Sequence, residues 1–192
     1  MTHIDQLKNT LLKLVRLTTA EWLAFAQNLE AVNYNKNDLL CPAGQVEQYI
    51  YFIHTGLVRV YFQKEAEELT LNFHFENEFV SSFSSFLTQT PSRVAVQALD
   101  KIQASRIHYK AIQALYSHSH NGERIGRLIA ESLYLAKTNR EIDLLSLSAE
   151  EQYLNLLQKN PKFISHLSVK HLASYLGIQP ESLSRIRHKI GR

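Results

Sequence analysis

Residues Ser168 to Ile190 (SVKHLASYLGIQPESLSRIRHKI) constrain this chain more than any other segment. Two short helices that cross steeply need a small residue at the crossing, a residue free to turn left-handed, and apolar side chains facing inward. Ala173, Gly177, Leu183 and Ile186 stand at those places. Ser168 is an N-cap residue for the first helix, and Pro180 suits the first position of the second, with Gln179 just before it. The spacing predicts a helix-turn-helix. Within residues 162–192, six basic residues (Lys162, Lys170, Arg185, Arg187, Lys189, Arg192) meet one acid, Glu181, a net of +5; the chain total of +3 leaves residues 1–161 at −2. Positive charge is concentrated where nucleic acid would be met. A basic run alone describes any solvated helix; joined to the turn spacing, it points to double-stranded DNA as partner.

Glu181 and Arg185 lie four residues apart, on one face of the second predicted helix. Arginine can grip guanine O6 and N7 with two hydrogen bonds, and glutamate can accept from cytosine N4. The bland alternative is a surface ion pair of a few tenths of a kcal/mol. Gln179, Ser184, His188 and Lys189 are further candidates for base or phosphate contacts, and Lys170 for phosphate.

A chain of 192 residues with 45% hydrophobic content has room for one larger and one smaller domain. One cysteine, Cys41, excludes a disulfide within the chain and any four-cysteine site. No apolar stretch approaches the roughly 20 residues of a membrane helix, and the N-terminus is amphipathic, so a soluble, cytoplasmic protein without a membrane partner is expected. A metal triad, a nucleophile elbow and a phosphate-cradling glycine loop are all missing from the sequence, which argues against an enzyme. His118 and His120 bracket Ser119, but two histidines without a third ligand read as surface residues; neither a metal nor a cofactor is expected.

Along the chain, residues 4 to 28 carry helical apolar spacing, with Thr18 and Glu21 spaced as a capping box. From about 32 to 107 the pattern changes to short β-rich runs (YIYFIHTG, LVRVYFQ, LTLNFHF, RVAVQAL) between turns, as in an antiparallel barrel or sandwich. A short helix over 108–117 precedes a long one reaching about residue 146. Its apolar positions include Ile125, Leu128, Ile129, Leu135 and Ile142, close to a heptad seam, with Asn139 as a polar residue able to set register. An ordinary core-facing helix would show such a stripe too, but a long helix linking two domains has limited core to cover, so these six positions are expected to form a dimer interface. Ser148 and Glu151 form a second capping box, where the C-terminal domain begins.

Helices, a β-roll with PAG and HTG turns, a long helix and the segment LASYLGIQPESLSRIR, in this order, resemble the cyclic-AMP receptor protein (Crp/Fnr) family of bacterial regulators. The resemblance covers nearly the whole chain. It implies an α+β fold: an N-terminal double-stranded β-helix (β-roll) sensor over 1–117, a dimerisation helix over 118–146 and a helix-turn-helix domain over 147–192. It further implies a homodimeric transcription regulator of palindromic DNA, with RNA polymerase as a partner if it activates. By position, Glu181 and Arg185 stand where the family's base-reading acid and arginine stand, and Ser182 where a phosphate-contacting hydroxyl stands.

Two departures qualify the resemblance. Members that bind cyclic nucleotides carry Gly-Glu and then Arg-Ser/Thr-Ala; here Ser81-Ser82 and Ser92-Arg93-Val94 occupy those places. A buried cyclic phosphate without a cation is costly, and Arg93 should face the opposite side of the sheet from Ser92. Cyclic AMP is therefore not the expected effector. The serines at 81, 82, 84 and 85 either line a pocket for an unidentified small polar effector or form a loop, the loop being preferred. The sequence also stops at Arg192, so the family's β-hairpin wing is expected to be missing and affinity to lean on Lys170, Lys189 and Arg192. The competing reading is a small-ligand-binding or protein-interaction module without sequence-specific DNA binding.

Overall fold

The structure, a computed structural model, describes residues 3–118, 120–159, 161 and 167–191. Lys162 and Arg192 of the basic cluster, and the side chains of His118 and His120, lie outside these. Two compact units are present. The first comprises the chain up to Phe62 together with Asn72–Glu131; the second comprises Gln63–Leu71 and the chain from Ser132 on.

The first unit opens with α1 (His3–Leu14) and α2 (Thr19–Ala26). Thr18 starts α2 as the sequence predicts: its hydroxyl accepts from Glu21 N–H at 3.2 Å, and the Glu21 carboxylate accepts from Thr18 N–H at 2.9 Å. Eight strands follow: β1 (Leu29–Tyr34), β2 (Leu39–Cys41), β3 (Tyr49–Thr55), β4 (Val58–Lys64), β5 (Glu67–His74), β6 (Phe79–Val80), β7 (Ala95–Ala98) and β8 (Ile102–His108). They form two four-stranded sheets ordered β1-β8-β3-β6 and β2-β7-β4-β5. Strand alternation supplies the roll interior, where Tyr51 and Ile53 of β3, Val58 and Val60 of β4, Val96 and Ala98 of β7, and Ile102 and Ala104 of β8 pack together. Fully burying a side chain of the Val/Ile class contributes about 1.5–3 kcal/mol.

Residues 83–88 differ from expectation. In place of the expected serine-rich loop, helix α3 (Phe83–Thr88) forms, with Ser85 and Phe86 buried. Tertiary contacts decide this, since the Ser85 hydroxyl accepts from Glu47 N–H at 3.0 Å and donates to the Thr90 carbonyl at 2.5 Å.

Helix α4 (Tyr109–His118) leads into α5 (His120–Ser146), a helix of 27 residues. The two pack closely because α5 carries glycine where α4 approaches: a Cβ at Gly122 would stand 2.8 Å from the Leu115 carbonyl oxygen. On the outer side of β3, Phe52 packs with Leu7, Leu11, Val15, Trp22 and Ile125 in a second core, against which Leu128 and Ile129 are partly buried. Among the described residues, no helix is long and apolar enough to cross a membrane.

The second unit holds α6 (Ala149–Lys159), α7 (Val169–Leu176) and α8 (Pro180–Lys189) besides the later part of α5. The second capping box is present, with the Glu151 carboxylate accepting from Ser148 N–H at 2.8 Å and from its hydroxyl at 2.7 Å.

Candidate nucleic-acid interface

Local chemistry builds the α7–turn–α8 unit. The Ser168 hydroxyl accepts from His171 N–H at 3.2 Å and caps α7. Gly177 ends that helix at φ +69°, the left-handed region, and its N–H donates to the carbonyls of Ala173 and Ser174. Ile178 N–H returns to Ala173 at 3.0 Å. Pro180 then occupies the first turn of α8, with Gln179 as its extended N-cap. Leu172, Ala173, Leu176 and Leu183 are buried, as are Tyr153 of α6 and Leu167. Ala173 is 1% exposed, the small residue that lets the helices cross closely.

With Leu183 buried, the opposite side of α8 is left open. Glu181, Ser184, Arg185 and His188, at spacings of 3, 4 and 7 from the first, are all exposed and form one stripe. Arg185 and Glu181 make no ion pair with each other among the described residues, so the arginine is available to an outside acceptor. Ser182 is half-buried; Gln179 and Lys170 are exposed. Ser184 bonds back to the Pro180 carbonyl at 3.1 Å. Lys189 is differently placed, because its ammonium reaches the Glu150 carboxylate on α6 at 2.7 Å. Arg187 lies half-buried with its guanidinium 5.9 Å from the Tyr153 ring centroid.

In the β-roll, the residues aligned with the nucleotide-binding glutamate and arginine meet directly. The Ser82 and Ser92 hydroxyls stand 2.6 Å apart and both residues are 4% exposed, while Ser92 also donates to the Val94 carbonyl at 2.6 Å. Arg93 is exposed, its guanidinium 5.8 Å from the Phe62 ring centroid. Ser81 donates to the Tyr49 carbonyl at 2.9 Å. A carboxylate that sequence reasoning missed lies here: Glu47, 2% exposed, accepts from Tyr49 N–H at 3.0 Å and Ser82 N–H at 3.4 Å. Burial raises its pKa, and backbone donors partly counter the rise. Burial, reinforced by the Glu47 charge, pushes the Cys41 thiol up to about 12.

The α5 residues divide. Ile125 is 7% exposed within the second core, with Leu128 and Ile129 packed beside it, so the chain's own core accounts for their apolar character. Leu135 and Ile142 are 60% and 55% exposed, and Asn139 is exposed as well. Among the described residues, no cluster of three or more His, Cys, Asp or Glu could hold a metal ion.

Residues 31–119 match the family model of the cyclic nucleotide-binding domain. A comparison with curated protein sequences finds no match. Among solved structures, the chain is similar to the c-di-GMP responsive global regulator CLP of Xanthomonas campestris, with 20% identity, 90% of this chain and 91% of that one covered, and a TM-score of 0.69. It is also similar to FixK2 from Bradyrhizobium japonicum, at 16% identity over 85% and 86% of the two chains and a TM-score of 0.75. The Catabolite Activator Protein of Thermus thermophilus matches at 22% identity over 91% and 84%, with a TM-score of 0.54. At these identities the likeness to each is one of fold.

Proposed function

We propose that this chain, which carries a cyclic nucleotide-binding domain over residues 31–119 and has the fold of the Crp/Fnr regulators, is a homodimeric transcription regulator that binds palindromic DNA through α8. The observation that carries the reading is the exposed stripe Glu181, Ser184, Arg185 and His188 on a helix whose other side is buried in a capped helix-turn-helix. Arg185 reads a guanine, Glu181 accepts from a cytosine amine, and Gln179, Ser182 and Lys170 serve flanking bases and phosphates. Lys189 reaches a phosphate only by leaving Glu150. Self-association uses the exposed α5 positions Leu135, Asn139 and Ile142. The protein acts by binding rather than by catalysis, and if it activates transcription, RNA polymerase is its further partner.

The effector, if there is one, is not a standard cyclic nucleotide. Ser82 and Ser92 give a cyclic phosphate no cation, and the buried Glu47 carboxylate beside Ser82 adds a like charge where the phosphate would need an opposite one. CLP is described as responsive to c-di-GMP, a property of that protein.

Selection of duplexes from a random pool by the purified protein, without ligand and at near-physiological salt, tests the reading. A palindrome is expected to be enriched, with affinity falling steeply as salt rises. No enrichment with or without cyclic nucleotides, together with salt-insensitive association with another protein, would favour a protein-interaction module.

A further inference from the structure

Ser174 and Tyr175 are consecutive residues at the carboxy end of α7, and each is held by a group from outside the helix-turn-helix. The Ser174 hydroxyl donates to the Glu68 carbonyl at 2.7 Å and accepts from Thr70 N–H at 2.8 Å. A helical serine commonly bonds back to its own helix. This one instead bridges two backbone groups of β5, in the Gln63–Leu71 segment that belongs to the second unit.

On the next residue, Arg140 of α5 approaches. Its Nη1 donates to Gln152 Oε1 at 2.9 Å, its Nη2 donates to the Tyr175 carbonyl, and its guanidinium lies 3.9 Å from the Tyr175 ring centroid. The last carbonyls of a helix have no intrahelical partner and carry the negative end of its dipole. Gly177 and Ile178 satisfy those of Ala173 and Ser174, and Arg140 supplies a cationic donor to Tyr175. One side chain thus ties α5, α6 and α7 together.

We infer that these contacts form a clamp: β5 and Arg140 fix α7, and through the Gly177 turn α8, relative to the long helix, so that Arg140 and Ser174 set the half-site spacing accepted by the dimer without touching DNA. The inference rests on the DNA-binding dimer proposed above. In a dimeric reader, half-site spacing follows from the separation of the two recognition helices. Arg140 directly follows Asn139 on α5, so only the α5–α7 contact and the packing of α7 on α8 separate the self-association face from the reading stripe. Both residues are positioning residues.

The test compares wild type, Arg140→Met and Ser174→Ala on duplexes carrying the half-sites that wild type selects, separated by spacers of different lengths. Wild type is expected to prefer one spacing. Each variant is expected to accept at least one further spacing and to bind the wild-type spacing about two- to thirtyfold more weakly, with half-site base preference unchanged. A single unchanged spacing, with affinity within about twofold of wild type in both variants, would overturn the clamp. So would altered base preference within a half-site, since that would make these residues part of base reading. Should Arg140→Met fail to fold, Ser174→Ala, which removes one hydroxyl from a half-buried site, decides alone. If wild type itself selects no palindrome, the DNA-binding reading fails and the clamp fails with it; an altered clamp response on a functional wild-type background separates the two.

Discussion

At the scale of single residues, exposure separates the side chains proposed to read DNA from those that only support the fold. Arg185 is exposed and bears no internal ion pair among the described residues, so its removal should cost binding rather than folding. Arg185→Ala is expected to lose about 1 to 3 kcal/mol of DNA affinity and to relax preference at one base position in each half-site. Titration of selected and single-mismatch duplexes measures this; an equal loss on every sequence would make Arg185 a phosphate contact. His54 shows the opposite kind of residue. It is 2% exposed, its Nε2 lies 2.8 Å from the Ser105 hydroxyl, and its ring stacks on His3 at 4.7 Å and meets the edge of Phe52 at 5.3 Å. Burial first, and the charge of His3 second, lower its pKa to about 4. The unfolded chain, with a histidine near pKa 6.5, therefore binds this proton better, so stability is whole above about pH 6.5 and falls as pH drops towards 4. Glu47, whose pKa is raised by burial, acts in the opposite sense, which makes a single-site comparison necessary. The urea midpoint of wild type should fall from pH 7 to pH 5 by more than that of His54→Asn; equal falls would show that His54 does not carry the effect. Neither His54 nor Glu47 was legible in the sequence, because burial of a lone polar residue is decided by strands far away along the chain.

Among elements, legibility followed the range of the interactions that make them. The helix-turn-helix and both capping boxes were readable because Ser168, Gly177, Pro180, Thr18 with Glu21 and Ser148 with Glu151 act within a few residues of themselves. Strands β3, β4, β5 and β7 were readable from their apolar runs. Strands β2 and β6, of three and two residues, were too short to leave a period, and α3 depends on a hydrogen bond from Glu47, 38 positions before Ser85. The long helix was visible, but its stripe mixed two roles: Ile125 serves the chain's own core, while Leu135 and Ile142 stay open. Helix crossings can be probed separately. Gly122→Ala would set a Cβ 2.8 Å from the Leu115 carbonyl oxygen, a backbone atom that cannot swing aside. A loss of about 1–3 kcal/mol is expected by urea unfolding, as for overpacked interiors generally. A change below about 0.5 kcal/mol, the ordinary range for surface substitutions, would mean that α4 shifts freely along α5.

For the whole molecule, the proposed two-site reading of DNA would depend on self-association. Leu135→Glu with Ile142→Glu places two charges at positions that are 60% and 55% exposed, so the subunit fold should survive. Sedimentation velocity is expected to show a monomer, and affinity for the full palindrome should collapse towards that of one half-site, because the second half-site no longer binds intramolecularly. A dimer that persists would move the interface off α5. The Gln63–Leu71 segment has a consequence of another kind. Its hydrogen bonds to Ser174 join residues 104 and 106 positions apart, so the C-terminal unit is discontinuous in the chain. A ribosome finishes the hairpin long before it makes the helices that complete the same unit, and a fragment beginning at Ser132 would lack a built-in part. Cutting the gene at the apparent boundary therefore yields an incomplete domain; adding the hairpin back as a separate peptide would complement it, as in a split protein.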